Sequence, residues 1–352
     1  MIYIKKFILY FIIFIFICFI FPALCTKQNK EASSTEIAET VNTNEDNKEN
    51  QNETTNENNE NTNSNYEYTK YATIKLLHAK TKQVEEVKID DYIINVVSAE
   101  MPADYELEAL KAQAVVARTY TIYKAQNKKH DDADICDDFA CCQAWITKED
   151  RMNRWKEELR ESNWNKITQA VKETQGKIVT YEGKPINAFF HSNSGGTTEV
   201  PVNVWGGTGY PYLQTVETAG EEQYSQYSSE VVLSKEELLK KLKEKYSDIK
   251  INFDKKDEIK ILEHTDSGRV KTIKLGNKNL SGVEIRTLLG LKSTNFEIQK
   301  EKQNYKFIVK GYGHGVGMSQ TGANSMAKTG SNYEEIIKHF YTSVEITDIN
   351  SL

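Results

Sequence analysis

Several familiar signatures are missing from this 352-residue sequence, and each absence removes support for a class of function. No dense run of Lys and Arg interleaved with aromatics occurs, so nothing points to nucleic-acid binding. There is no His-Glu-x-x-His, which leaves a zinc protease unsupported, and no Gly-x-Ser-x-Gly, which argues against a serine hydrolase. The Gly-rich run from Gly311 to Gly317 lacks the βαβ context and ribose-binding acid of a dinucleotide site. The formal net charge of -6 is mild.

What is present falls into three parts. Lys5 and Lys6 precede an apolar run from Phe7 to about Leu24, about 18 residues and about 27 Å as a helix, close to a bilayer's hydrocarbon thickness. Residues 1–25 are therefore read as a cytoplasmic tip and single-pass anchor, with the rest of the chain outside the cytoplasm. A cleaved signal peptide and a lipid anchor at Cys25 are the rivals. The run is long for a signal peptide and has no clean small-x-small site, and bulky Leu24 disfavours the lipid anchor. Residues 26–65 are Asn, Glu, Thr and Ser with almost nothing to bury, which predicts a disordered tether. Residues 66–352 are long enough for one large domain or two small ones.

Within that part, alternation predicts strands at Tyr71–Leu76 and Val84–Ile89. A helix is expected from Pro102 to about Gln126, with Leu107, Leu110, Ala114, Ala117 and Thr121 on one face. Another is expected from about Asn165 to Gln175, closed by Gly176, then strands at Lys177–Tyr181 and Ile186–His191. Ser234 with Glu237, Ser281 with Glu284, and Asn332 with Glu335 have N-terminal capping spacing. A hairpin is expected from Glu258–Glu263 and Val270–Leu275, and further strands at Phe296–Ile298, Tyr305–Val309 and the C-terminus. Strands and helices mix without a regular βαβ repeat, so the expected class is α+β, with a small inserted subdomain over 224–303.

Three clusters carry chemistry. Glu100 sits in Val96-Val97-Ser98-Ala99-Glu100-Met101-Pro102, just before the expected helix. It could merely complement a helix dipole, or act as a general acid if Val96, Val97 and Met101 form a pocket that raises its pKa against that dipole. His130, Cys136, Cys141 and Cys142 offer four zinc-type ligands within thirteen residues. Zinc and a disulfide from Cys136 both fit the spacing; a site of three cysteines and one histidine has no open coordination position and is structural. The third cluster pairs His191-Ser192-Asn193-Ser194-Gly195-Gly196 with Gly311-Tyr312-Gly313-His314-Gly315-Val316-Gly317-Met318-Ser319-Gln320. Both are tight Gly-rich turns; glycine there also lets backbone approach a ligand, with polar tips able to bond sugar hydroxyls.

Taken together, these segments and Ala109-Leu110-Lys111-Ala112-Gln113-Ala114-Val115-Val116-Ala117-Arg118-Thr119-Tyr120 and Cys142-Gln143-Ala144-Trp145 resemble the stage II sporulation protein D family, which is related to the amidase enhancers. The resemblance covers the part from about Ile74 to the C-terminus. It implies a membrane-anchored lytic transglycosylase that cuts peptide-stripped peptidoglycan glycan strands during forespore engulfment. The implied partners are a peptidoglycan amidase/endopeptidase and a polytopic membrane protein. Glu100 aligns with the family's catalytic Glu, and His130, Cys136 and Cys142 align with its metal ligands. Cys141 departs from a histidine there, and cysteine is an equally good zinc ligand.

The implied mechanism needs one carboxyl group, because the nucleophile belongs to the substrate. That accounts for the lack of an obvious second acid at ordinary glycosidase spacing. Arg118, His191, Ser192, Ser194, His314, Ser319 and Gln320 are the candidates for holding the glycan. Two rivals are a glycan-binding amidase activator that does not cut, and a hydrolase that admits water.

Overall fold

The computed structural model describes residues 66–352; the expected anchor and tether lie outside the described residues. The architecture is α+β, and its centre is one helix, Leu107–Gln126. This helix is buried nearly all round, not on one face. Ala109, Ala112, Ala114 and Ala117 are fully covered, as are Gln113, Arg118, Thr119 and Thr121. The small residues leave room for close neighbours. Four helices pack against it (Ile89–Glu100, Arg160–Lys172, Gln320–Lys328 and Tyr333–Phe340), together with the strand Lys177–Tyr181. A helix covered on every side is a core element, and its polar residues must then be satisfied internally. Thr119 and Thr121 do so by bonding Val115 O and Ala117 O one turn back.

Small sheets surround this hub. Thr73–Leu77 lies between Val84–Lys88, antiparallel, and Ile135–Cys136, parallel. Lys177–Tyr181 lies between Glu345–Asp348 and Lys184–Pro185. Phe190–His191 pairs in parallel with Met318–Ser319, which brings the two Gly-rich segments side by side. Only Phe190–His191 of the expected Ile186–His191 strand is paired.

A second apolar cluster runs from Leu233 to Val309, including Leu238, Leu242, Ile273, Leu275, Ile285 and Phe307. It is covered by the sheet Asn295–Glu301, Asn304–Lys310 and Ser228–Ser234, and by a three-stranded sheet in which Lys278–Ser281 adds to the expected hairpin. All three capping spacings are real caps. In each, the Ser or Asn side chain accepts from the third helical N–H while the Glu returns the bond.

Two expectations are corrected near Glu100. Val84–Ile89 does not continue as strand; a helix starts at Ile89 and runs to Glu100. Tyr92, Ile93, Val96 and Val97 are its buried face. No helix starts at Pro102: Tyr105 N–H bonds Pro102 O in a turn, and the next helix opens at Leu107.

Candidate active site

Glu100 closes the Ile89–Glu100 helix instead of preceding one, so the dipole argument changes sign. A helix C-terminus carries partial negative charge and disfavours an adjacent carboxylate. Burial pushes the Glu100 carboxyl above the usual glutamate range. Hydrogen bonds from Ala144 and Gln320 to its two oxygens offset only part of that. Ala144 N–H donates to Oε1 at 2.7 Å, and Gln320 Nε2 donates to Oε2 at 3.3 Å. Gln320 is itself steadied by Gln113 Oε1 at 3.4 Å, from the central helix.

The carboxyl opens on a cleft of about 540 Å³. Its lining comes from five stretches of chain: Ala99–Tyr105; Arg151, Trp155, Leu159 and Asn163; Ser192; Gln226; and Gln320. Arg151, Trp155, Leu159, Asn163 and Gln226 carry no motif, and no sequence signal singled them out.

Of the seven glycan-holding candidates, Ser192 and Gln320 line this cleft. Arg118 does not. It is fully buried, with Nη1 on Thr174 O and Lys177 O and Nη2 on Asp90, and it ties helices to a strand. Ser194 and Ser319 are also fully buried, and their hydroxyls turn to Glu221. His191 is buried with Nδ1 on Val316 O at 3.1 Å, and burial beside the Arg269 charge lowers its pKa to about 3. His314 accepts from Val316 N–H at 3.1 Å and packs edge-on to Phe189 and tilted against Trp205 and His191. Burial and the His191 ring hold it well below the usual histidine range, so both rings are neutral.

Glu221 has no motif of its own, yet it organises both Gly-rich segments. It accepts from Ser194 Oγ at 2.5 Å, Ser194 N and Gly196 N at 3.0 Å, Thr218 Oγ1 at 2.9 Å, Thr321 Oγ1 at 3.0 Å and Ser319 Oγ. Burial alone would raise its pKa, but these donors outweigh burial and hold it below the usual range. The glycines serve the same junction. A Cβ on Gly317, at φ 70°, would lie 2.0 Å from Phe189 O, and one on Gly311 would lie 2.8 Å from Asn193 O. Their close approach is to the other loop.

The fourth feature is the cysteine loop. Ligand atoms of His130, Cys136, Cys141 and Cys142 all lie within 4.8 Å of one another. Cys136 Sγ is 3.3 Å from Cys142 Sγ, and His130 Nε2 is 3.7 and 3.6 Å from the sulfurs of Cys141 and Cys142. All three cysteines are free. The next residues run straight to the cleft: Gln143 Nε2 bonds Tyr92 OH and Thr121 Oγ1, and Ala144 bonds Glu100.

Fold and cleft together define an α+β protein with a half-buried carboxyl group of raised proton affinity at the cleft. Residues 77–181 match a family model described as stage II sporulation protein, and residues 208–317 match a domain of unknown function. The chain is 34% identical over 283 residues to the stage II sporulation protein D of Bacillus amyloliquefaciens, covering 79% of this chain and 80% of that one. Its similarity to the Bacillus subtilis stage II sporulation protein D has the same extent. It is also 29% identical over 305 residues to the amidase enhancer of Bacillus subtilis, covering 72% of this chain and 40% of that protein. The chain belongs to the stage II sporulation protein D family.

Proposed function

We propose that the chain is a lytic transglycosylase that cuts the MurNAc–GlcNAc bond of peptide-stripped peptidoglycan and leaves 1,6-anhydro-MurNAc ends. The observation that carries this reading is Glu100: a carboxyl with raised pKa, held by two donors at the edge of an open cleft of mixed polar and apolar lining. Protonated, Glu100 gives its proton to the glycosidic oxygen as positive charge develops at C1 of MurNAc. As carboxylate, it then takes the proton of the same sugar's C6 hydroxyl, which attacks C1 and closes the anhydro ring. Gln320 keeps the carboxyl aimed, and Ser192, Gln226 and Asn163 supply polar contacts to the sugars. The other carboxylate on the cleft, Asp104, is exposed and suits no buried-acid role.

The cysteine cluster fits Zn²⁺. A tetrahedral zinc with sulfur at about 2.3 Å and nitrogen at about 2.0 Å separates its ligands by about 3.5–3.8 Å. Four of the six ligand pairs lie 3.3 to 3.8 Å apart and all six within 4.8 Å, close to that set, and the sulfur–sulfur distances are too long for a disulfide. His130, Cys136, Cys141 and Cys142 would hold the ion in a closed site that braces the loop bearing Ala144. The chemistry at the glycan needs no metal.

On this reading the body works outside the cytoplasm, tethered by residues 7–24 to the mother-cell membrane and facing the intermembrane space. There it acts in forespore engulfment with an amidase/endopeptidase that strips the peptides and a polytopic membrane protein. Similarity to an amidase enhancer favours a second reading, a glycan-binding activator without cleavage of its own. Mass spectrometry of peptide-free strands incubated with wild type and Glu100→Ala separates the two. Anhydro-ended fragments from wild type alone support the transglycosylase. Fragments heavier by one water indicate a hydrolase, and no fragments from folded wild type indicate the activator.

A further inference from the structure

The Glu100 cleft contains a cation without a counter-charge. Arg151 belongs to the helix Lys148–Arg154, and its side chain lines the cleft with Glu100, Ser192 and Gln320. The guanidinium lies 4.8 Å from the Trp155 ring centroid, so an aromatic face sets its position. Among the described residues it forms no ion pair, and its buried Nε–H has no acceptor. Arg118 and Arg269 also leave Nε unfilled, but carbonyl, carboxylate or hydroxyl oxygens occupy their terminal nitrogens. Those of Arg151 are open. Burial and the neighbouring Arg154 charge both press its pKa below the usual arginine range, so the cation is held there at a cost. Glu149 and Asp150 of the same helix, and Asp104 on the cleft, are exposed and do not neutralise it.

A guanidinium with open terminal nitrogens, set by an aromatic face, suits a planar carboxylate bound through two parallel hydrogen bonds. The glycan offers one such group. GlcNAc is uncharged, and MurNAc bears a lactyl group whose carboxyl is an amide while the stem peptide is attached. Removing the peptide turns that amide into an anion. We propose that Arg151 binds the free lactyl carboxylate of MurNAc in the Glu100 cleft, and so makes the site selective for strands without stem peptides. The proposal rests on the glycan substrate of the preceding section, but not on the cleavage step.

The test is binding to the full chain carrying Glu100→Gln, which blocks turnover. Three glycan oligomers of equal length are compared: peptide-free, the same oligomer with its lactyl groups converted to methylamides, and one bearing intact stem peptides. The peptide-free oligomer should bind about 10- to 100-fold more tightly than the methylamide, the range for a charge-assisted pair. Adding Arg151→Gln should abolish that preference by weakening binding of the peptide-free oligomer far more than of the methylamide, and Arg151→Lys should retain part of it. Equal affinity for the first two oligomers before Arg151 is changed would overturn the proposal, whatever the variants do. So would tighter binding of the peptide-bearing oligomer, which would assign the cation to a peptide carboxylate, or an equal loss on both peptide-free forms with Arg151→Gln. Wild-type cleavage is scored separately. A carboxylate preference without fragments removes only the transglycosylase reading, and fragments without a preference remove only the role of Arg151.

Discussion

Ala144 donates its backbone N–H to Glu100 Oε1 at 2.7 Å, and Ala144 stands two residues after Cys142. The cysteine loop and the half-buried carboxyl are thus one hydrogen-bonded unit, although 44 residues separate donor and acceptor. The loop lowers the proton affinity of Glu100 through this bond while burial raises it, and burial is the larger effect.

Activity should follow the protonated form of Glu100. Its pKa lies above the usual glutamate range, so cleavage should be highest on the acid side of that pKa and fall as pH rises through it. Initial rates on peptide-free strands from pH 4 to 9 check this. Glu100→Gln should lower the rate by about 10²- to 10⁴-fold on the acid side of that pKa, and a wild-type rate that climbs steadily with pH would contradict an acid role.

The same shift makes a stability prediction. A carboxyl whose folded pKa is raised contributes its stabilisation below the unfolded pKa and loses it as pH rises through the folded pKa. Glu100→Gln should therefore match wild type near pH 4 and melt at a higher temperature than wild type at pH 8. Thermal melts at the two pH values decide it; a lower Tm for the variant at pH 8 would mean the charged form is well accommodated.

Elemental analysis of the purified chain should find about one zinc per chain. Cys136→Ser or Cys142→Ser should lose the metal and cost at least about 2 kcal/mol in urea unfolding, because a closed zinc site contributes folding energy directly. Metal-free wild type with unchanged stability would assign the cluster another role.

Glu221→Ala should be more damaging than its lack of a motif suggests. It leaves the Ser194 N–H without its acceptor and removes the shared acceptor of the Gly196 N–H and four hydroxyls in the core, at a cost of about 1–3 kcal/mol. The Glu221 pKa is lowered, so its contribution is present above the unfolded pKa and lost as pH falls through the folded one. Urea titrations at pH 7 and pH 3 should show the gap between wild type and variant narrowing in acid.

The capping boxes at Ser234, Ser281 and Asn332 are legible because a cap is made within four residues of chain. The helix Ile89–Glu100 is less so. Its Ile and Val read locally as a short apolar stretch, and its identity depends on Tyr92, Ile93, Val96 and Val97 meeting a helix later in the chain. That single omission reversed the dipole argument at Glu100. Ser194 and Ser319 show a second limit: a hydroxyl beside a glycine has the same local pattern whether it faces a sugar or the buried Glu221.

The sequence by itself determined the α+β class, the family, Glu100 as the candidate acid and the four residues that meet in the cysteine cluster. These follow from residue types at short or characteristic spacing. Only the tertiary structure decided which polar residues reach the cleft. It set Gln320 on Glu100, turned Arg118, Ser194 and Ser319 into the core, and left Arg151 open beside Trp155. The reason is physical: desolvation and the choice of hydrogen-bond partner depend on which distant segments pack around a group, and local sequence does not record that packing.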